Sequence, residues 1–184
     1  MAVTPSNMLP LGTVAPAFTL PDTVSGKIVS LDELKSNTAT VIMFICNHCP
    51  FVKHLQNHLS HFAKEYRARG ISFIAINAND AIEYPEDAPE RMKQIAKQFD
   101  YSFPYLYDES QAVAKAYQAA CTPDFHIFDK GLRCVYRGQY DDSRPGNNAA
   151  ITGKDLGTAL DNILQGKPIA SNQKPSMGCN IKWK

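Results

Sequence analysis

The stretch that decides the fold is Thr40-Val41-Ile42-Met43-Phe44-Ile45-Cys46-Asn47-His48-Cys49-Pro50, TVIMFICNHCP. Its first six residues are an unbroken β-branched and apolar run, the mark of a strand buried on both faces. An amphipathic helix follows. At 100° per residue, Phe51, Val52, Leu55, Leu59, Phe62 and Tyr66 fall within an arc of about 100°, and Gly70 suits the position just past the helix end. The Cys-x-x-Cys lies where strand becomes helix. A thiol there faces unsatisfied backbone N–H groups and the positive end of the helix dipole. Both favour the thiolate, which is the nucleophile. Pro50 fits the first helical turn, where its missing N–H costs nothing. His48, as a cation or a hydrogen-bond donor, would stabilise a thiolate further. The sequence therefore predicts that Cys46 has the lower pKa and attacks first, and that Cys49 resolves.

The rest of the composition frames that motif. The chain has 184 residues, a formal net charge of +1 and five cysteines. This length suits one domain, residues 1–184, that buries roughly 70% of the unfolded surface without a disulfide staple. Lys+Arg 19 against Asp+Glu 18 leaves no basic field for nucleic acid. No apolar run approaches the ~18 residues of a membrane span. Met1 to Phe18 carries three prolines, no basic residue and no apolar h-region, unlike a signal peptide. The expected location is a reducing cytoplasm, where cysteines are catalytic, metal-binding or simply buried.

Working outward, residues 1–26 read as an N-terminal extension, irregular or edge strand from 5 to 23. Residues 27–31 read as a strand, and 32–35 as one helical turn with Ser30 and Glu33 spaced for a capping box. Residues 71–77 form a second buried strand, 90–99 a helix, and 110–117 a shorter helix capped by Ser110. Residues 124–128 and 132–137 pair as a hairpin with Gly131 in the left-handed conformation. Residues 152–164 are a last helix, and 167–184 a tail. Parallel crossovers followed by an antiparallel hairpin give an α/β fold, a mixed central sheet with helices on both faces.

Zinc is the main alternative use of a Cys-x-x-Cys. It needs two more ligands, usually a second close pair, and Cys121, Cys134 and Cys179 are scattered. His54 lies about 140° around the helix from Cys49. No metal is therefore assigned. His54, His58, His61 and Glu65 read as a solvated helix edge, and His126 as a satisfied, partly buried histidine. Cys134 reads as core. Cys179 reads as a tail residue, packed or exposed, with a mobile resolving thiol as the alternative.

The strand TVIMFI, the motif CNHCP, the amphipathic helix, the strand ISFIAIN and Thr122-Pro123 together resemble the thioredoxin fold. VAPAFTLPD, CTPDFHIFD, YRGQYDDSRPG and PSMGCNIKWK resemble its peroxiredoxin-like branch, related to alkyl hydroperoxide reductase and thiol-specific antioxidant proteins. The resemblance implies a cis bond before Pro123, with Thr122 and Pro123 beside the cysteines holding substrate backbone. Cys121 would then stand near the site as an auxiliary thiol or a buried hydrophobe. Arg144, or Arg137, would approach the motif or belong to a turn. Three departures matter. Ile45 and Asn47-His48 replace the Trp and Gly-Pro of thioredoxins, and Thr40 falls where they keep a buried aspartate. The peroxiredoxin Pro-x-x-x-Thr-x-x-Cys fits neither cysteine, since Ile42 and Cys46, or Ala39 and Met43, occupy the Pro and Thr places.

The resulting expectation is a thiol–disulfide oxidoreductase with Cys46, Cys49 and His48 as its catalytic set. It needs no bound cofactor, and an external dithiol or glutathione supplies electrons. Its partners are a protein or small-molecule disulfide and a thiol reductant. It would be a monomer or homodimer, with a reduction potential above the roughly −270 mV of thioredoxin because of His48. The alternatives are a peroxiredoxin-like thiol peroxidase passing through a sulfenic acid and a Cu(I)-binding protein using the soft cysteine pair.

Overall fold

The structure is a computed structural model that describes residues 3–184. Strands β1 (Val3–Pro5), β2 (Thr19–Pro21) and β3 (Ile28–Ser30) precede helix α1 (Leu31–Leu34). Ser30 and Glu33 close the capping box read from their spacing. Then come β4 (Ala39–Phe44), α2 (Pro50–Ala68), β5 (Ile71–Asn77), a 3₁₀ turn at Pro85–Asp87, and α3 (Pro89–Gln98). The second half holds β6 (Tyr105–Tyr107), α4 (Ala112–Ala116), β7 (Cys121–Thr122), β8 (Asp124–Asp129), β9 (Cys134–Gly138), α5 (Lys154–Leu164) and β10 (Met177–Asn180).

The main sheet runs β6-β5-β4-β8-β9. β4 pairs in parallel with β5, from Ala39↔Ile71 to Phe44↔Ile76, and antiparallel with β8. It is thus the central strand, and every one of its residues is buried. Alternation sends Val41, Met43 and Ile45 into the core formed with α2, α3 and α5, while Ile42 and Phe44 join the core with α1 and α4. The buried stripe of α2 is Val52, Leu55, Leu59, Phe62 and Tyr66, each contributing roughly 1.5–3 kcal/mol by leaving water. Pro50 opens that helix and Gly70, at φ +88°, ends it.

Four features depart from the sequence pattern. β6 is a three-residue aromatic segment, Tyr-Leu-Tyr, too short for alternation to flag, yet it extends the sheet parallel to β5. Helix α4 is not capped by Ser110. Gln111 takes the cap position at φ +63°, and buried Asp108 accepts the Ala114 N–H. In the β8–β9 link the left-handed residue is Leu132, at φ +57°, not Gly131, because the Asp129 carboxylate accepts the N–H groups of both Gly131 and Arg133. Finally, the tail contributes β10, which lies between β1 and β7 in a separate three-stranded sheet. Its register places Cys179 opposite Thr122 on one side and Val3 on the other.

Candidate active site

The site is assembled at the N-terminus of α2, where β4 ends. Cys46 lies in the strand-to-helix link and Cys49 is the residue that precedes the first helical turn. The Thr122–Pro123 bond is cis and sits against both sulfurs. Thr122 Oγ1 lies 3.2 Å from Cys46 Sγ, and the Thr122 carbonyl 3.2 Å from Cys49 Sγ. Strand β10 adds a third sulfur: Cys179 Sγ lies 2.9 Å from Cys49 Sγ. Cys46 is 1% exposed, Cys49 0% and Cys179 3%. The backbone edge expected to hold substrate at Thr122 is therefore already paired, with this chain's own Cys179.

The two motif cysteines share a charge unequally. Interactions with the Cys46 and Cys179 thiols and the dipoles of the Val52 and Cys179 N–H groups favour a negative charge on Cys49 Sγ. They outweigh burial and the single Thr122 carbonyl, and hold its pKa down to about 5. No cap hydrogen bond closes on that sulfur, so the Val52 contribution is that of a nearby dipole. Burial pushes Cys46 well up, as do its bond to Cys49 and the negative charges of Asp87 and Cys49. This reverses the sequence expectation that Cys46 is the more acidic thiol. The helix terminus favours a thiolate as anticipated, but the convergent donors sit around the second cysteine.

His48 points elsewhere than expected. Its Nδ1 meets Asp87 Oδ2 at 2.5 Å, and its ring stacks on Tyr84. The Asp87 bond raises the imidazole pKa. Burial works against the Asp87 carboxylate, but bonds from His48, Asn79 Nδ2 and the Asn47 N–H hold its pKa below the usual range. A histidinium paired to a carboxylate is electrically close to neutral, so His48 gives a Cys46 thiolate little of the stabilisation expected of a lone cation. Asp87 is the site residue that sequence reasoning missed. It comes from the 3₁₀ turn after β5, at the carboxyl end of the parallel strands, and the polar run Asn77-Ala78-Asn79-Asp80 just before it was the available signal. Asn47 braces this corner, donating to the Glu86 carbonyl and accepting from Tyr105 Oη.

The remaining candidates fall outside the cluster. Cys121 is buried, with its sulfur 3.8 Å from the Pro123 carbonyl, and burial raises its pKa. Arg144 is held by the carbonyls of Asp141 and Ser143 and by Gln139 Oε1, which makes it part of the loop. Arg137 reaches the Leu9 carbonyl and Gln173. Cys134 is core. His54 and His58 are not a free solvated edge: they bond Ser143 and Tyr140 on the facing loop, while His61 bonds its own helix at Asn57. His126 is fully buried rather than partly so, with Nδ1 unpartnered, and burial holds its pKa down at about 4. Among the described residues, the group spaced to hold a metal ion is Cys46, His48 and Asp87. It mixes a soft sulfur with a hard carboxylate already bonded to the histidine, a poor match to one kind of ion.

The sequence profile of the Redoxin family matches residues 10–156, most of the chain and all of the site except β10. The chain belongs to the Redoxin family. It is a thiol-dependent oxidoreductase of the thioredoxin-like superfamily. This redoxin is 23% identical to the thiol-disulfide oxidoreductase ResA of Bacillus cereus over 125 residues, 68% of this chain and 67% of that protein. It superposes on an uncharacterized conserved protein from Geobacillus kaustophilus with a TM-score of 0.98 and 59% identity, covering 100% of this chain and 97% of the other. The thioredoxin fold itself is shared with a putative thioredoxin from Neisseria meningitidis (TM-score 0.63, 24% identity, 82% of this chain and 89% of that one). Among the described residues no helix is long and apolar enough to cross a membrane.

Proposed function

We propose that this redoxin exchanges disulfides through Cys46 and Cys49, reducing a protein or small-molecule disulfide at the expense of an external dithiol or glutathione. The observation that carries the reading is the sulfur pair itself: two free, buried thiols at a helix N-terminus, each 3.2 Å from Thr122 of the cis-proline turn. ResA, a relative, is named for the same reaction.

In the forward half-reaction Cys46 Sγ attacks one substrate sulfur and passes its proton to the Cys49 thiolate. The substrate's S–S bond breaks and its second sulfur leaves as a thiolate, which takes that proton from Cys49. Cys49 then attacks Cys46 Sγ, closing Cys46–Cys49 and releasing the first substrate sulfur as a thiolate that water protonates. The reductant returns two electrons by the reverse exchange, so no bound cofactor is required. Asp87, itself bonded to His48, holds the Asn47 link in place. Because both sulfurs are buried and β10 is paired to the Thr122 edge, a protein substrate engages them with that strand displaced from Thr122.

The test pairs insulin-disulfide reduction with hydrogen peroxide consumption on wild type, Cys46→Ser and Cys49→Ser. Wild type should reduce insulin, with each variant slower by about 10³-fold or more, the scale of losing a nucleophile. Full reductase activity in Cys46→Ser would overturn the assignment. Wild-type peroxide consumption much faster than insulin reduction would move the protein into the peroxidase class.

A further inference from the structure

Cys179 is the nucleophile-bearing group that the exchange above leaves unused. It is not in a loose tail. β10 is fixed on both edges, to Val3 and Thr122, with Gly178 pressed so closely on the Thr122 carbonyl that no side chain would fit between them. That anchoring delivers Cys179 Sγ to 2.9 Å from Cys49 Sγ, about 0.9 Å beyond a disulfide bond. External thiols reach none of the three sulfurs while β10 is in place, because each is at most 3% exposed. Inside the closed structure, then, Cys49 has two sulfur neighbours, Cys46 and Cys179.

We propose that Cys179 is a third redox thiol, which exchanges with the Cys46–Cys49 disulfide to form Cys49–Cys179. The proposal rests on the disulfide-exchange reading above. Cys179 Sγ attacks Cys49 Sγ, the Cys46–Cys49 bond breaks, and Cys46 leaves as the thiolate. The proton lost by Cys179 ends on Cys46, and no net electrons move. The product keeps one disulfide, ties β10 to the start of α2 and returns Cys46 to its reduced form. Burial raises the Cys179 thiol to about 12, with its bond to Cys49 adding to the rise. It therefore rests protonated and acts once the Cys49 charge has been consumed in the Cys46–Cys49 bond.

Peptide mapping decides the matter. Ser36–Lys53 carries both motif cysteines on one tryptic peptide, whereas Cys179 lies on Asp155–Lys182, because Lys167 and Lys174 both precede proline. Wild type, Cys46→Ser and Cys179→Ser are equilibrated in graded mixtures of oxidised and reduced glutathione, alkylated and digested without reduction. The expected result is a cross-linked pair of these two peptides in wild type, its accumulation as the main oxidised product of Cys46→Ser, and its complete loss in Cys179→Ser. Conversion of wild type to Cys46–Cys49 with no cross-link, in it or in Cys46→Ser, overturns the role of Cys179 and leaves the exchange reaction standing. Absence of both Cys46–Cys49 and the cross-link at every ratio overturns the exchange reaction as well.

Discussion

Replacing Gly178 with alanine sets a methyl carbon 1.9 Å from the Thr122 carbonyl oxygen and 2.6 Å from its carbon. Real Cβ atoms essentially never come closer than 3.0 Å, so the first contact is 1.1 Å too short. Both obstructing atoms are backbone, and cis-Pro123 follows directly, so no side chain can swing aside. β10 must move off β7. The pairs Cys179↔Thr122 and Asn180↔Cys121 then weaken, at about 1 kcal/mol for each hydrogen bond, with an overpacking cost of similar size. The expected loss is about 3 kcal/mol. For a chain of this size that lowers Tm by about 6–12 °C, at roughly 2–4 °C per kcal/mol. Scanning calorimetry measures the fall. Hydrogen exchange at residues 177–180 locates it, since those amides should lose protection before the β4–β5 core does. An alanine variant that melts within about 1 °C of wild type, with protection of β10 unchanged, would show that this strand does not pack on the cis-proline backbone.

Two further outcomes follow from the charges at the site. Thiolate absorbance near 240 nm should titrate with a midpoint of about 5. The step should survive in Cys46→Ser, whose hydroxyl still donates, and vanish in Cys49→Ser; a midpoint that persists without Cys49 would put the charge on Cys46. The second concerns His48 and Asp87. The raised His48 pKa adds stability that is complete below its ordinary 6.5 and fades as pH rises through the folded value. The lowered Asp87 pKa adds stability present above 3.8 and lost as pH falls through its folded value. Both act between about pH 4 and 6.5, so the urea-midpoint gap between wild type and Asp87→Asn should be widest there and narrower at pH 8.5. A gap that widens from pH 6 to 8.5 would mean that the pair is not charged.

Local pattern carried the centre of the molecule into view. The unbroken run before Cys46 is the central strand because only a strand covered on both faces needs no polar alternation, and Ile71–Asn77 was legible for the same reason. The helix stripe from Val52 to Tyr66 was legible because its period is intrinsic to the helix. The parts that escaped depend on long-range placement. Asp87 reaches His48 from 39 residues away, and the polar run before it marks a loop at the strand ends without recording that meeting. Met177–Asn180 contains a glycine that argues against a strand, yet the glycine is what the Thr122 backbone demands. The direction of the shift at each thiol depends on groups from α2 and from β10 together, which a rule based on the helix terminus alone does not contain.

The ladder joining Val3, Cys179 and Thr122 also imposes an order on biosynthesis. Cys179 is translated 130 residues after Cys49, an interval on the order of ten seconds at the usual pace of a ribosome. Throughout it the nascent chain carries its reactive pair without the strand that later shields it. The vulnerable period of this enzyme, for stray oxidation or for capture by another thiol, thus falls before its own last strand has been made.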